Sequence, residues 1–410
     1  MKDNDAPGKH EESPRLLVVT SNPPSIVTGV GIVLRNLLRE YPRERLTIIS
    51  GAYETQDLLT RGEAGGLLNV PHILMHSWQL NVRGVYRLLL WVSTIKIIVQ
   101  TTISARRIAS RDTTILAVPY GGRFGSELFV GAYFAHRLTG APLVIYEMDE
   151  WRASLVGALN ERIPLALENL FHRRIARAAR TVWVMSNQMA EEFRARFGIK
   201  AKALPASVEV DKFAHGRRHG ERTHHDEFRL LYTGSISTPQ AGAIRNVLRA
   251  IQSQPDDRTS LVIYSGQSAE ELAKQGITGP KLRVERSVAP EKLPDVLATA
   301  DALLLPFSFE EQQRAVVSTS LPSKVADYLA SGVPVLVHAP PYATITSLAT
   351  NEGWAEVVDE PSIARLAAAL QHLATNKSLR KRYAENALRI ARARYDLATR
   401  RAEFIASIRK

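Results

Sequence analysis

Short apolar runs alternate with longer helical patterns along most of this 410-residue sequence, and this alternation constrains the fold more than any other feature. It predicts βαβ units, in which parallel strands are joined by crossover helices. An eight-residue loop of turn-forming residues follows the first run, and a helix is predicted over residues 30–40. The first series of predicted strands covers residues 16–19, 46–49, 72–75, 114–118, 143–146 and 181–185.

A polar and basic segment, residues 206–228, separates this series from a second one. Its four histidines could be read as a metal site, but their neighbours are typical of a linker. The second series has predicted strands at 229–233, 261–264, 282–284, 302–305 and 335–337, and predicted helices at 242–253, 290–298 and 323–330. The predicted organisation is a tail at 1–14, a Rossmann-like domain at 15–205, a linker at 206–228, a second Rossmann-like domain at 229–385 and a C-terminal helix at 386–410 that could cross back to the first domain. The fold class is therefore α/β, with two tandem Rossmann-like domains and a cleft expected between them.

Composition excludes several classes of protein. A content of 45% hydrophobic and 23% charged residues is typical of a folded, soluble chain. Cysteine is absent, which excludes disulfides, thiolate metal ligands and a catalytic thiol, and suits a reducing compartment such as the cytoplasm. The polar N-terminus lacks the apolar core of a secretory signal. The most apolar stretch, residues 88–99, is shorter than the roughly 20 residues that span a bilayer.

The net charge of +12 favours polyanionic partners. Motifs typical of nucleic-acid binding are missing, so an anionic membrane surface or a phosphate-bearing ligand is the expected partner. The basic residues Arg87, Lys96, Arg106, Arg107 and Arg111 surround an apolar helical segment that includes Trp91. Such spacing favours packing into the core of the first domain; the alternative is a helix that lies on a membrane.

Gly29, Val30 and Gly31 stand where the first strand leads into the first helix. Backbone amides at a helix N-terminus can hold an anion, and glycine permits its close approach. The dinucleotide-binding fingerprint is not satisfied, because its third glycine would fall on Leu34. The alternative is a loop that needs glycine only for its own backbone geometry.

The densest signal lies in residues 305–308 and 319–335, which predict a strand, a polar loop, a capped helix, a glycine stop and another strand. Ser320 or Ser323 could cap the helix. Its first amides and Lys324 could hold a diphosphate, and Asp327, one turn further on, could accept hydrogen bonds from two ribose hydroxyls. The alternative is an ordinary amphipathic helix with a solvated lysine and aspartate.

This segment resembles the retaining family-four glycosyltransferases of GT-B fold, in particular their bacterial polysaccharide-assembly branch. The resemblance rests on Pro322-Ser323-Lys324 followed by Tyr328-Leu329-Ala330-Ser331-Gly332-Val333-Pro334-Val335. It extends over most of the chain from about residue 15. Further matching segments are 29–38, 148–151, 185–186, 204–211 and 232–235.

The resemblance implies which residues form the site. Asp149 and Lys324 would be catalytic, and no metal or other cofactor is implied. The implied donor-binding residues are Gly234, Ser235, Val288, Thr319, Ser320, Ser323, Lys324 and Asp327, with Gly29, Val30 and Gly31 as the acceptor or phosphate loop.

This sequence departs from the family pattern at three places. Thr319 stands where relatives carry the first of two glutamates, so it cannot offer a charge to the donor sugar. The basic pair expected after Gly234 is missing, so Lys324, and either Arg245 or Arg314, would offset the diphosphate. Met148 stands roughly where many relatives carry a histidine, which makes Asp149 the nearest polar candidate for that role.

The predicted function is the transfer of a hexose, with retention, from a nucleotide-diphosphate sugar such as a UDP-sugar to a carbohydrate or lipid-linked acceptor in polysaccharide or glycolipid assembly. Two alternatives stay open. One is a sugar-nucleotide epimerase of GT-B fold, which would need acid and base residues in the cleft. The other is a non-catalytic nucleotide-sugar-binding subunit, which Thr319 and the missing basic pair would suit. The expected location is cytoplasmic, with a possible peripheral contact to the inner face of the cytoplasmic membrane.

Overall fold

A computed structural model of the chain describes residues 13–26, 28–51, 66–76, 86–119, 124–148, 159–214, 227–254 and 258–409. The chain divides into two compact units. The first contains residues up to Pro205 together with Thr399–Lys410, and the second is Ala206–Ala398. Within the described parts of the chain, no helix is both long and apolar enough to cross a membrane.

The first unit is built on a seven-stranded sheet whose strands are all parallel, in the order β3-β2-β1-β4-β5-β6-β7. Its strands are β1 (Arg15–Thr20), β2 (Leu46–Gly51), β3 (His72–Met75), β4 (Thr113–Val118), β5 (Leu143–Glu147), β6 (Thr181–Val184) and β7 (Lys202–Ala203). The helices of this unit are α1 (Gly29–Leu38), α2 (Tyr86–Ile108), α3 (Gly125–Thr139), α4 (Leu159–Ala178) and α5 (Asn187–Phe197). All residues of β4 and β5 are buried. Strands covered by helices on both sheet faces read as continuous apolar runs, which is why the sequence reveals them.

The second unit repeats this arrangement with a six-stranded parallel sheet in the order β10-β9-β8-β11-β12-β13. Its strands are β8 (Phe228–Thr233), β9 (Thr259–Ser265), β10 (Leu282–Arg286), β11 (Ala302–Pro306), β12 (Val335–His338) and β13 (Ala355–Val358). Its helices are α6 (Thr238–Gln252), α7 (Ala269–Lys274), α8 (Leu293–Ala298), α9 (Arg314–Thr319), α10 (Lys324–Ser331), α11 (Thr344–Glu352), α12 (Ile363–Thr375) and α13 (Lys377–Arg394). The last helix, α14 (Leu397–Arg409), begins in this unit and ends in the first.

Two separate hydrophobic clusters form the core of the second unit, one on each face of its sheet. Leu231 and Leu305 belong to one cluster, whereas Leu230, Tyr232 and Leu304 belong to the other. Successive side chains of a strand point to opposite faces, so both faces of β8 and β11 are buried. Polar groups that could serve a ligand are therefore confined to the ends of the strands.

The predicted fold class, two tandem Rossmann-like α/β units, is confirmed. The helix predicted from residue 386 is instead the end of α13 followed by α14. Residues 206–214, which were predicted as the start of a linker, belong to the second unit, where Val208, Val210 and Phe213 join its core. The rest of the predicted linker, including all four histidines, lies outside the described residues.

Helix α14 packs in the first unit by its apolar face. Phe404 and Ile408 are fully buried there. The Ile408 carbonyl accepts a hydrogen bond from the Thr114 hydroxyl on β4 at 3.1 Å, and the Trp183 indole on β6 donates to the Ser407 hydroxyl at 3.1 Å. Arg401 contacts Glu40 and donates to the Asn36 carbonyl at 2.7 Å. The end of the chain therefore completes the core of the unit that the start of the chain forms.

We expect Phe404→Ala to lower the free energy of unfolding of the first unit by about 3–5 kcal/mol, because it removes a buried aromatic ring and leaves a cavity. The measurement is urea denaturation followed by circular dichroism and tryptophan fluorescence. Glu403→Ala is the control, since this exposed residue of the same helix makes only a surface ion pair with Arg400 and should change the value by less than about 1 kcal/mol. Equal effects of the two substitutions would show that α14 does not contribute to the core.

Candidate functional site

The strand order of the second unit reverses direction between β8 and β11, which are neighbours in the sheet. In open parallel sheets such a switch point opens a crevice at the carboxyl ends of the strands, where ligands bind. A pocket of about 160 Å³ lies at this place. Its lining residues are Tyr232 from β8, Leu305, Pro306 and Phe307 from the end of β11, Gln240 from α6, and Pro322, Ser323 and Lys324 before and at the start of α10.

Lys324 brings a cation to the carboxyl end of β8. Its Nζ donates a hydrogen bond to the Tyr232 hydroxyl at 2.7 Å and lies 4.0 Å from the centre of that ring. The Tyr232 hydroxyl in turn donates to the Ser235 carbonyl at 2.9 Å. Two contacts of the phenol, one to its oxygen and one to its ring, thus fix the position of the ammonium group.

Gly234 lies directly against this ammonium group. A Cβ atom at position 234 would come within 3.2 Å of Lys324 Nζ. Its φ of +106° is also in a region that side chains other than glycine rarely adopt. The glycine after β8 is therefore needed both for the backbone turn and for the space that Lys324 occupies.

Burial moves the pKa values of Lys324 and Asp327 toward each other. It lowers the pKa of Lys324 to about 7, although the negative charge of Asp327 opposes the change. It raises the pKa of Asp327 to about 7, against the opposing effect of the Lys324 charge. Both groups are less hydrated than on an open surface, which favours their neutral forms. An anionic ligand beside Lys324 would favour its protonated form.

The start of α10 differs from the prediction that a serine side chain caps it. Ser323 has helical backbone angles and makes no side-chain capping bond. Instead the Val325 amide donates to the Pro322 carbonyl at 3.0 Å, which forms a tight first turn. The interpretation of Ser323 as a side-chain cap is therefore wrong, and Ser323 lines the pocket instead. Ser320 has an extended backbone, and its amide ends α9 by donating to Val316 at 3.0 Å.

Of the predicted donor residues, Ser323 and Lys324 line the pocket, whereas the others, Asp327 and Gly234 included, are not among its lining residues. Thr319 is buried at the end of α9, and its hydroxyl lies 3.3 Å from the carbonyls of Ala315 and Val316. Ser235 is exposed after β8. Val288 is half-buried after β10, which is two strands away from β8 in the sheet. Thr319, Ser235 and Val288 do not line the pocket.

The two arginines considered as counter-charges have partners of their own. Arg245 pairs with Glu310 at 3.4 Å and donates to the Gln275 carbonyl at 3.0 Å. Arg314 pairs with Glu311 at 3.4 Å, and its guanidinium lies 4.4 Å from the centre of the Tyr342 ring. Lys324 is therefore the cation that the structure places in the pocket.

In the first unit, the loop before α1 is packed closely around Gly31. The Thr28 hydroxyl accepts a hydrogen bond from the Gly31 amide at 3.0 Å. A Cβ atom at Gly31 would come within 2.5 Å of Ser25 Oγ and 2.9 Å of the Pro23 carbonyl oxygen. Gly31 is thus required by the chain's own backbone, while Gly29 and Val30 form the first turn of the helix. Contact of this loop with a ligand stays a prediction.

Asp149 lies outside the described residues, but the strand that leads to it ends in a buried charged cluster that the sequence analysis missed. Glu147, the last residue of β5, has its Oε2 3.3 Å from His172 Nε2, and Glu168 Oε1 lies 3.4 Å from His172 Nδ1. The Ser126 hydroxyl donates to Glu168 at 2.6 Å. Phe197 stacks on the imidazole at 4.6 Å.

The side chains of this cluster are almost entirely removed from solvent, since Glu147, Glu168 and His172 are each 2% exposed or less. The imidazole Nδ1 lies within hydrogen-bonding distance of Glu168, and Nε2 lies 3.3 Å from Glu147 Oε2. One sequence signal was available, the Glu168 and His172 spacing of one helical turn. The match to Glu147 and Ser126 depends on packing between elements that are distant in sequence. No group of His, Asp or Glu residues with metal-binding geometry occurs among the residues that the structure describes.

Sequence comparison finds a family match in the second unit, and structure comparison finds proteins that share the fold over nearly the whole chain. Residues 227–376 match the sequence profile of the family described as glycosyl transferases group 1. A comparison with curated protein sequences finds no match.

Several solved structures share the fold at low sequence identity. The structure of Anabaena Alr3699/HepE in complex with UDP and glucose has a TM-score of 0.64 at 15% identity, over 97% of this chain and 99% of that one. Sucrose-phosphate synthase from Thermosynechococcus elongatus has a TM-score of 0.66 at 13% identity, over 96% and 97% of the two chains. A putative UDP-N-acetylglucosamine 2-epimerase from Listeria monocytogenes has a TM-score of 0.56 at 13% identity, over 97% and 96%. The fold is therefore the GT-B fold, which transferases and a putative epimerase share.

We expect His172→Leu to lower the free energy of unfolding of the first unit by about 3–5 kcal/mol. Leucine keeps most of the volume next to the rings of Phe129, Phe193 and Phe197, but it removes the polar partner of two buried carboxyl groups. Urea denaturation at neutral pH measures the effect. His372→Leu is the control, because this half-exposed histidine pairs with a carboxylate at the protein surface, and its loss should cost less than about 1 kcal/mol. A His172→Leu protein as stable as the wild type would show that the imidazole contacts do not stabilise the two buried carboxyl groups.

Proposed function

We propose that this protein is a glycosyltransferase that moves a hexose from a nucleotide-diphosphate sugar to a carbohydrate or lipid-linked acceptor, with retention of configuration. The observation that carries the proposal is the ammonium group of Lys324, held by Tyr232 beside Gly234 at the switch point of the second sheet. This site lies in the segment that matches the group 1 glycosyltransferase profile. A structural neighbour in complex with UDP and glucose supports a nucleotide-sugar donor.

The donor diphosphate would lie against the N-terminus of α10, beside the ammonium group of Lys324. The first amides of a helix and its dipole attract anions, and a lysine adds a full positive charge. Asp327, one turn further along the helix, would accept hydrogen bonds from the ribose hydroxyls. Lys324 thereby has a catalytic role, because it stabilises the negative charge that develops on the diphosphate as the glycosidic bond breaks.

Retention and metal independence are parts of the proposal that rest on the resemblance to family-four enzymes. The leaving phosphate can take the proton of the acceptor hydroxyl, so the reaction needs no protein nucleophile. Lys324 then supplies the charge stabilisation that a metal ion would otherwise provide. We keep Asp149 as the proposed polar group on the acceptor side.

Polysaccharide or glycolipid assembly in the cytoplasm is the proposed setting. The absence of cysteine suits a reducing compartment. The high positive charge suits donors that carry phosphate and acceptors presented at anionic surfaces.

A second candidate function is a nucleotide-sugar-binding subunit without transferase activity, and Thr319 favours it. Its hydroxyl lies within hydrogen-bonding distance of its own helix, and it has no charge to offer a sugar. An epimerase is a third candidate, since a putative epimerase shares the fold. The three candidates differ in what they do after binding the same donor.

A screen of thermal stabilisation by uridine, guanosine, adenosine and thymidine diphosphate sugars tests the shared premise. A ligand at a hundred times its Kd stabilises a protein by about 2.7 kcal/mol, which is readily measured. Product analysis with the stabilising donor then separates the candidates. Release of nucleoside diphosphate with a glycosylated acceptor supports the transferase, an altered sugar supports the epimerase, and binding without turnover supports the subunit. Stabilisation by none of the four classes would contradict all three.

We expect Asp327→Ala to weaken donor binding about ten- to hundredfold, because a hydrogen bond to a charged group contributes about 1.5–3 kcal/mol. Isothermal titration calorimetry with the stabilising donor measures the change. Asp295→Ala removes the same charge from an exposed position on α8 of the same unit and should leave the affinity unchanged. An unchanged affinity in Asp327→Ala would place the ribose elsewhere.

We also expect donor affinity to pass through a maximum near pH 7. Above the Lys324 pKa of about 7 the ammonium loses its proton and its attraction for the diphosphate, so affinity falls as pH rises. Below the Asp327 pKa of about 7 the carboxylate becomes protonated and accepts hydrogen bonds less well, so affinity falls as pH decreases. Each decrease is at most tenfold per pH unit. The measurement is the Kd of the sugar nucleotide, whose diphosphate charge stays constant over the range tested.

Two variants show which residue causes the fall in donor affinity above pH 7 (the alkaline limb) and which causes the fall below it (the acid limb). Lys324→Met should remove the alkaline limb and leave the acid limb, whereas Asp327→Asn should do the reverse. A wild-type affinity that changes in only one direction with pH, or variants that keep both limbs, would show that other groups control binding.

A further inference from the structure

Helix α2 carries large apolar side chains on its exposed face. Five of them are at least two-fifths exposed: Trp91 41%, Val92 41%, Ile95 53%, Val99 47% and Ile103 45%. At about 100° of rotation per residue, these positions fall within an arc of about 120° on one side of the helix. From Trp91 to Ile103 the exposed face runs for about 18 Å. For these five residues the interpretation as core packing is wrong, because their side chains face away from the core.

Helix α2 packs through its opposite side, where Thr94, Ile97, Thr101 and Ala105 are buried. A Cβ atom at Gly131 of α3 would come within 2.6 Å of Thr101 Cβ, so the two helices approach closely. The Thr102 hydroxyl also lies 3.3 Å from the Gly131 carbonyl oxygen. The buried side of α2 is therefore the side that meets α3, and the five large apolar residues lie on the other side.

The exposed charges that the structure describes on α2 and on the neighbouring helices α3 and α4 are basic. Arg106 follows the apolar residues in the same arc, Arg107 and Lys96 lie at its margin, and α2 contains no acidic residue. The neighbouring helices α3 and α4 carry exposed arginines, among them Arg137, Arg173 and Arg177. The acidic side chains that the structure describes on these two helices, Glu127 and Glu168, are both buried.

We propose that the outer face of α2 (Trp91, Val92, Ile95, Val99, Ile103 and Arg106) binds a membrane surface that contains anionic lipids. Apolar side chains of a surface helix can enter the boundary between headgroups and acyl chains while arginines contact the lipid phosphates. A second copy of this chain fits the face less well, because pairing two such helices would bring basic residues together without acidic partners. This inference goes beyond the proposed function, since donor binding belongs to the second unit and the lipid-binding face to the first.

The test is flotation of the full chain with phosphatidylcholine vesicles, with and without phosphatidylglycerol, at low and high salt. We expect the wild type to float with anionic vesicles at low salt and less at high salt, because salt screens the attraction between arginines and lipids. Absence of flotation with anionic vesicles at low salt would overturn the proposal.

Two variants separate the apolar and the basic contributions. The triple variant Ile95→Gln, Val99→Gln and Ile103→Gln keeps good helix formers at exposed positions and should reduce vesicle binding at least tenfold. Arg106→Gln with Arg107→Gln should reduce binding to anionic vesicles by about twenty-five-fold, at roughly fivefold per arginine. Lys381→Gln with Arg382→Gln removes the same charge from exposed positions on α13 and should have a much smaller effect. Equal effects of the two double variants would indicate attraction by net charge alone and contradict the proposed face.

Two further measurements distinguish the remaining outcomes. Vesicles with brominated acyl chains should quench tryptophan emission in the wild type and much less in Trp91→Phe, which shows whether this face enters the lipid. Sedimentation without lipid should find no self-association through the face; a wild-type dimer that the triple variant dissociates would identify a second copy as the occupant. The triple variant should bind the stabilising sugar nucleotide as the wild type does, so loss of vesicle binding and loss of donor binding report on separate proposals.

Discussion

The burial of both faces of each parallel sheet is the constraint on which the rest of this structure depends. Because helices cover β8 and β11 on both sides, neither strand can carry a polar side chain to a ligand along its length. Groups that bind a ligand must therefore lie at the carboxyl ends of the strands. The reversal of strand order between β8 and β11 opens a crevice there, which a side chain can enter. Lys324 occupies that place. Its position follows from the topology, since α10 begins after β11 and before β12, on the side where β11 ends.

Burial of Lys324 and Asp327 themselves lowers the pKa of the lysine and raises that of the aspartate. A lysine on an open surface would be strongly hydrated, and a ligand would have to displace that water. Here the protein has already removed part of it, and the phenol of Tyr232 contacts the ammonium group in its place. Electrostatic interactions are stronger where solvent is excluded, so a diphosphate next to Lys324 gains more from the contact than it would at a surface lysine. The glycine at 234 belongs to this arrangement, because its φ of +106° disfavours other residues and a Cβ atom there would lie in tight contact with the ammonium group.

Sequence patterns predicted the strands that are buried on both faces, and they missed short or polar strands and one helix cap. Strands buried on both faces appear as continuous apolar runs, and the predicted fold class depended on them. Strand β13 was missed because it is four residues long and contains Glu356, while β7 has two residues and no apolar pattern. The expected cap by Ser323 failed because Pro322 lets the backbone close the first turn without a side chain.

The buried Glu147, His172 and Glu168 cluster was not predictable because it joins β5 to α4, whose approach is decided by packing. Helix α2 shows the same limit: its hydrophobic period indicates one apolar face, but period alone does not say whether that face meets the core or the solvent. The close approach of Gly131 to Thr101 shows which side of the helix is packed, and the hydrophobic period does not reveal this contact.

Thr319 limits how the proposed site can recognise a sugar. The Thr319 hydroxyl lies within hydrogen-bonding distance of its own helix, and Thr319 does not line the pocket that contains Lys324. On the proposed placement of the donor, selection among sugars therefore falls to neutral groups such as backbone amides and hydroxyls. Neutral hydrogen bonds are weaker than charged ones, about 0.5–1.5 kcal/mol against about 1.5–3 kcal/mol each. On this placement the site binds the nucleotide part of its donor more strongly than it discriminates the sugar.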